Sequence, residues 1–179
     1  LGLNAVHTDP ELRDFYADIV GSVKTFLQVY ALRTEYFDYY VTRSAFSLID
    51  KQGQNMAPHI HQGADVSFVY YVEAPEATNP FQVINENAHS IADGLFSSFR
   101  GVDKSLISEI NAFNCAHTDF HPTPGDLYVF LASTLHGVGS IDNYKSRRIS
   151  LAGDVSLVLK PEHKAYEYGK PPLDRWVQF

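Results

Sequence analysis

Residues 147–159 alternate. Ile149, Leu151, Val155, Leu157 and Leu159 fall on one face, and Arg148, Ser150, Ala152, Asp154 and Ser156 on the other. A β-strand is the element with that two-residue period. Its apolar face has to be buried, so the strand belongs to a sheet that packs against another layer. The opposite face is polar and carries a cation.

Shorter pieces repeat the theme. Residues 66–72 read as the clearest other strand, and 36–49 are rich in strand formers. Strands are also expected at 55–61, at 81–84, within 106–120 and at 127–131. Turns are expected at 50–54, 62–65, 121–126 and 142–145, where Gly, Pro, Asn and Asp gather. Residues 73–80 form a loop. Residues 85–103 are polar, with Ile91, Leu95, Phe96 and Phe99 as buried candidates, and their length suits a lid.

One helix precedes the strands. Thr8, Asp9, Pro10 and Glu11 form a start signal. Leu12, Phe15, Tyr16, Ile19, Val23, Phe26, Leu27 and Tyr30 follow as an apolar stripe at three-and-four spacing. The helix is placed at 9–32, outside a sheet. A tail at 160–179 wraps the surface with Trp176 as its anchor. A parallel βαβ fold needs more helices than this chain has. The fold expected is mainly β, a double-stranded β-helix (jelly roll, cupin-like), as a single domain over 1–179 with its core at 36–159.

Composition narrows the function. Hydrophobic residues make up 45% and aromatics 13% of the 179 residues, which excludes a disordered chain. A formal charge of −7 speaks against a nucleic-acid surface. Cys115 is the one cysteine, so no internal disulfide can form, and a reducing, cytoplasmic setting is expected. No apolar run approaches the roughly 20 residues that span a bilayer, so no membrane partner is expected. Residues 1–7 lack the basic start and apolar core of a signal peptide, and a first residue other than Met points to a processed or shortened chain.

The chemistry centres on Pro58-His59-Ile60-His61. Histidines one residue apart face the same way on a strand, and imidazole suits first-row transition metals. A third ligand has to come from a distant strand, and His136, after the 126–131 run, is the best placed. A competing His-x-Asp, His117-Thr118-Asp119, lies too near His136 in the chain for several strands to intervene. It reads better as strand or turn. His7, His89 and His163 read as surface or loop histidines, Arg147 as a solvated neighbour of Arg148, and Cys115 as a small buried residue. Asp154 shares the Arg148 face and fits either a partner of the site or the surface.

These elements in this order resemble the Fe(II)/2-oxoglutarate-dependent dioxygenases, most closely their microbial and phage 2-oxoglutarate/Fe(II) oxygenases. The matching pieces are His59-Ile60-His61, Ser67-Phe68-Val69-Tyr70-Tyr71, Gly125-Asp126-Leu127, His136 and Arg148-Ile149-Ser150. The resemblance implies Fe(II), 2-oxoglutarate as co-substrate and O2. Oxidative decarboxylation to succinate would then drive hydroxylation of a small molecule or a protein side chain. It implies His59, His61 and His136 as ligands. Arg148 would anchor the far carboxylate of 2-oxoglutarate, since a guanidinium meets a carboxylate with two parallel bonds. Ser150 would add a hydroxyl, and one of Tyr70 and Tyr71 would point inward to the same ligand.

The common triad has a carboxylate where this chain has His61. The site uses three histidines, or Asp65 supplies the carboxylate, or His61 stands behind a weakly held metal. Two other functions remain open on the sequence. One is a three-histidine dioxygenase that does without 2-oxoglutarate. The other is a non-catalytic jelly roll that binds a metal or small molecule.

Overall fold

Asp9 starts the helical segment: its carboxylate accepts the Glu11 N–H at 3.0 Å, and Pro10 leads a 3-10 turn, Pro10–Leu12. The chain is described here by a computed structural model covering residues 5–51, 54–76, 78–85, 117–140, 147–163 and 177–178. The turn runs into α1, Arg13–Val29, shorter at both ends than the expected 9–32. Ala31 ends it in the left-handed region, φ 55°. The Leu32 N–H reaches the Leu27 carbonyl at 3.4 Å and the Ala31 N–H the Gln28 carbonyl at 2.9 Å. This is a Schellman closure, with Ala where Gly is usual. Tyr16, Ile19, Val20, Val23 and Leu27 are the buried stripe.

The strands described are β1 (Phe37–Ile49), β2 (Met56–His59), β3 (Val66–Glu73), β4 (Phe81–Ile84), β5 (His117–Phe120), β6 (Leu127–Leu131), β7 (His136–Val138), β8 (Arg148–Leu159) and β9 (Val177–Gln178). They form two antiparallel sheets, ordered β6-β3-β8-β1-β9 and β2-β7-β4-β5. This is a jelly roll with one helix outside the larger sheet. No helix among the described residues is long and apolar enough to cross a membrane.

β8 is the axis of the larger sheet. Its apolar face, with Leu151, Val155 and Leu157, joins Phe68 and Val66 of β3 under α1. Its polar face looks inward, where Val69, Tyr71, Phe81 and Phe130 form a second apolar cluster. The site lies on that inward face.

Two irregularities set the side chains there. β1 pairs Val41 with Val155 and then Arg43 with Asp154, so Thr42 is an extra, bulged residue. Tyr39 and Val41 point to α1. Simple alternation would send Arg43 the same way. The bulge turns it to the inner face beside Asp154. In β2, Pro58 has no N–H to give, which suits an edge strand, and the β2–β7 register breaks between Met56 and His59.

Two expectations are corrected here. β2 stops at His59, so His61 lies just beyond the strand, not within it. Gly63, at φ +85°, then turns the chain into β3. Residues 117–120 form a short exposed edge strand, as expected within 106–120. His7 is buried, not on the surface: its N–H donates to Ser44 Oγ at 2.7 Å, and Tyr16 donates to the same oxygen at 2.8 Å. Burial holds the His7 imidazole below its usual pKa. Arg147 is exposed, as expected, and is bidentate with Glu73, at 2.6 and 2.7 Å. The expected lid at 85–103 lies, but for residue 85, outside the described residues. The turn at 142–145, His89, Cys115 and Trp176 lie wholly outside them. Of the tail, Val177–Gln178 adds to the edge of β1, and His163 stacks on Tyr36 at 3.8 Å.

Candidate metal centre

The pairing of β2 with β7 sets His59 opposite His136. The His61 N–H is held by the Ala132 carbonyl at 2.9 Å, which fixes the residue after the strand end. The His59 and His61 rings lie nearly parallel, with centroids 5.2 Å apart, and both approach His136, at 4.4 and 5.0 Å. One ring nitrogen from each lies within 4.8 Å of the other two.

The hydrogen bonds decide which nitrogen that is. His59 Nδ1 meets the Ala57 carbonyl at 2.9 Å, and His136 Nδ1 meets the Thr134 carbonyl at 2.7 Å. His61 Nδ1 meets the Asp154 carboxylate. Carbonyl and carboxylate oxygens only accept, so each Nδ1 carries the proton and donates. Each Nε2 keeps its lone pair for the shared centre. Metal-binding histidines are prepared in this way.

His136 is the most enclosed of the three, between Phe130 at 4.6 Å and Phe81 at 5.5 Å. Burial drives its pKa down to about 4, with the neighbouring imidazoles adding to the fall against the opposing bond to Thr134. It is therefore neutral at physiological pH, the form a metal needs. Burial pushes the Asp154 carboxyl up. The bonds from His61 and Ser67 and the Arg43 charge outweigh it, and the group sits below its usual value.

Arg148 lies deeper on the same face and is buried. Its Nη2 donates to Tyr71 Oη at 3.1 Å, and its guanidinium lies 4.9 Å from the Tyr71 ring. Its Nε has no partner among the described residues. None of the ion pairs among the described residues involves it. An unpaired buried charge costs several kcal/mol, on the order of 3–5 when a partner is removed. Such a group is poised for an anion. Ser150 follows it on the inner face and is also buried. Burial raises the Tyr71 hydroxyl pKa, against the lowering effect of Arg148, so Tyr71 stays a neutral donor.

Tyr70, expected as a candidate for the same ligand, points the other way and packs on Phe15 of α1 at 5.1 Å. Tyr71 is the inward member. Asp65, considered as a third ligand, accepts the Leu157 N–H at 2.7 Å and pins the β3 entrance to β8, away from the cluster. His117 and Asp119 stand 3.6 Å apart on exposed β5, and Asp119 also accepts from Gln82 at 2.8 Å. An open cleft of about 560 Å³ runs from His59 and His61 past Arg43, Ala45, Ser47 and Met56.

A family model described as "Putative 2OG-Fe(II) oxygenase" matches residues 44–154. No curated protein matches the sequence. Among solved structures, the non-heme alpha-ketoglutarate-dependent carbocyclase SnoK from nogalamycin biosynthesis aligns with a TM-score of 0.51 at 11% identity. The alignment covers 96% of this chain and 72% of that one. An oxidoreductase of the 2OG-Fe(II) oxygenase family from Burkholderia pseudomallei aligns at 0.45 and 15% identity, over 66% of this chain and 44% of that one. The epimerase SnoN from nogalamycin biosynthesis aligns at 0.49 and 12%, over 79% and 62%. The chain thus spans less than two thirds of the length of these last two. At such identities the likeness to the carbocyclase carries the fold alone.

Proposed function

Because the chain belongs to the 2OG-Fe(II) oxygenase family, we propose that it hydroxylates a small molecule or a single protein side chain with Fe(II), 2-oxoglutarate and O2. The observation that carries this reading is the pairing of two prepared sites, one on each sheet. Three histidines have their Nδ1 protons engaged and their Nε2 lone pairs free. Beyond them lies a buried guanidinium whose Nε has no partner among the described residues.

His59, His61 and His136 would hold the iron. Arg148 would take the far carboxylate of 2-oxoglutarate, with Tyr71 as a neutral donor beside it and Ser150 in reach of the same end. Bound iron with its co-substrate supplies oxidative decarboxylation to succinate and CO2, coupled to oxidation of a C–H bond. The chain's own residues do the rest. Phe81 and Phe130 exclude water from the His136 side. The cleft beside His59 and His61 is the entrance for substrate, and its volume falls in the range, about 300–1,000 Å³, that suits a small ligand or one inserted side chain.

A three-histidine dioxygenase that binds its substrate directly is the second reading, favoured by the absence of a carboxylate from the cluster among the described residues. Anaerobic calorimetry separates the two. Saturable 2-oxoglutarate binding to Fe(II)-loaded protein, weakened at least tenfold in Arg148→Ala, is expected from the first. Stoichiometric iron without 2-oxoglutarate binding selects the second. No iron at all leaves a non-catalytic jelly roll.

A further inference from the structure

In the common facial triad a carboxylate brings one negative charge to the metal. Three neutral imidazoles bring none. Resting on the metal-centre reading above, we infer that Asp154 supplies this charge from behind His61, so that the His61–Asp154 pair replaces the missing carboxylate ligand.

The three histidines are not equivalent in what supports them. His59 and His136 lean on backbone carbonyls, which are neutral. Among the described residues, His61 alone of the three leans on a carboxylate. That carboxylate is built in. Asp154 is 4% exposed on β8, the central strand of the larger sheet. Ser67 on β3 donates to its Oδ1 at 2.8 Å. Arg43 on β1 donates to its Oδ2 at 2.7 Å. Three strands therefore aim one oxygen at His61 Nδ1.

Burying a carboxylate is costly unless its bonds are made. The fold meets that cost here by spending the Thr42 bulge to bring Arg43 round to it. Arg43, 48% exposed, offsets part of that charge and its Nη2 also lies 3.3 Å from His61 Nδ1, whereas Asp154 and His61, 6% and 11% exposed, meet directly away from water. Asp154 acts through His61: it is a positioning residue, which fixes the His61 tautomer and enriches its Nε2 as a donor.

Asp154→Asn and Asp154→Ala test this. Asn keeps an acceptor for the Nδ1–H and removes the charge, and Ala removes both. Co(II) affinity is measured by chelator competition. Proton NMR of the Co(II)-loaded protein is read for the shifted, solvent-exchangeable Nδ1–H signals, one per ligand histidine. Urea unfolding of the metal-free variants controls for folding. The expected result is Co(II) binding weakened about 10- to 100-fold in Asp154→Asn. One of three signals moves in that variant and is lost to exchange in Asp154→Ala, while the other two stay. Co(II) affinity within threefold of the parent, with all three signals kept in both variants, would make Asp154 a structural residue and overturn the inference. A parent protein that binds no Co(II) overturns the metal centre and the inference with it.

Discussion

His136 shows how one residue's surroundings become a property of the protein. Its burial against Phe81 and Phe130 holds its pKa near 4, while an unfolded histidine titrates at 6.5. Below pH 6.5 the unfolded chain takes a proton that the folded chain refuses. The contribution is complete above about pH 6.5 and is lost as pH falls toward 4. By linkage it amounts to roughly 3 kcal/mol at most. Metal-free protein should therefore lose urea stability from pH 7 to pH 4.5, and His136→Gln should flatten that slope. An unchanged slope would mean that His136 is solvated. At this scale the sequence was partly legible. The His59/His61 pair and His136 stood out because ligand chemistry restricts residue type. His7 did not, because nothing near it in the chain announces Ser44 and Tyr16 as its partners.

Elements were legible where alternation was long. The faces of β8 could be read residue by residue, because a thirteen-residue pattern leaves little choice of register. The Thr42 bulge could not, since one extra residue shifts every later side chain of β1 to the other face without changing composition. That shift explains why Ser44 faces α1 and Arg43 faces Asp154. It also hid Arg43, which looks from sequence like any strand residue, although Asp154 itself could be read as a candidate partner of the site. β2 was read too long because His61 keeps its ring parallel to His59 after the ladder has ended. Close packing at the bulge yields a prediction for the element. A Cβ on Gly153 would lie 2.4 Å from Phe68 Cζ and 2.7 Å from the Arg43 carbonyl oxygen. Phe68 is fully buried under α1 and cannot retreat. Gly153→Ala should cost about 1–3 kcal/mol, seen as a lower urea midpoint, and should weaken metal binding as well, because Arg43 is displaced. A variant as stable as the parent would show that the sheet yields easily there.

Across the molecule, each sheet holds half of what the site requires. His59 and His136 stand on the smaller sheet, and Arg148, Ser150, Tyr71 and Asp154 on the larger one. His61 is tied between them, to Ala132 at the end of β6 by its backbone and to Asp154 by its ring. A metal on the three histidines therefore joins the sheets, and an anion on Arg148 relieves a charge buried between them. Both should stabilise the folded state by mass action, about 2.7 kcal/mol for a ligand at 100 times its Kd. For a chain of this length that corresponds to a rise of roughly 5–10 °C in Tm. A thermal scan with Mn(II), 2-oxoglutarate or both resolves the order of assembly. Mn(II) alone should raise Tm. The co-substrate alone should raise it much less, since on the proposed reading Arg148 would hold only one of its ends. Together they should exceed the sum, because the metal would supply the second point of attachment and the ordering cost arises once. Strictly additive shifts would place the two ligands in separate sites, and the pocket as drawn would not exist.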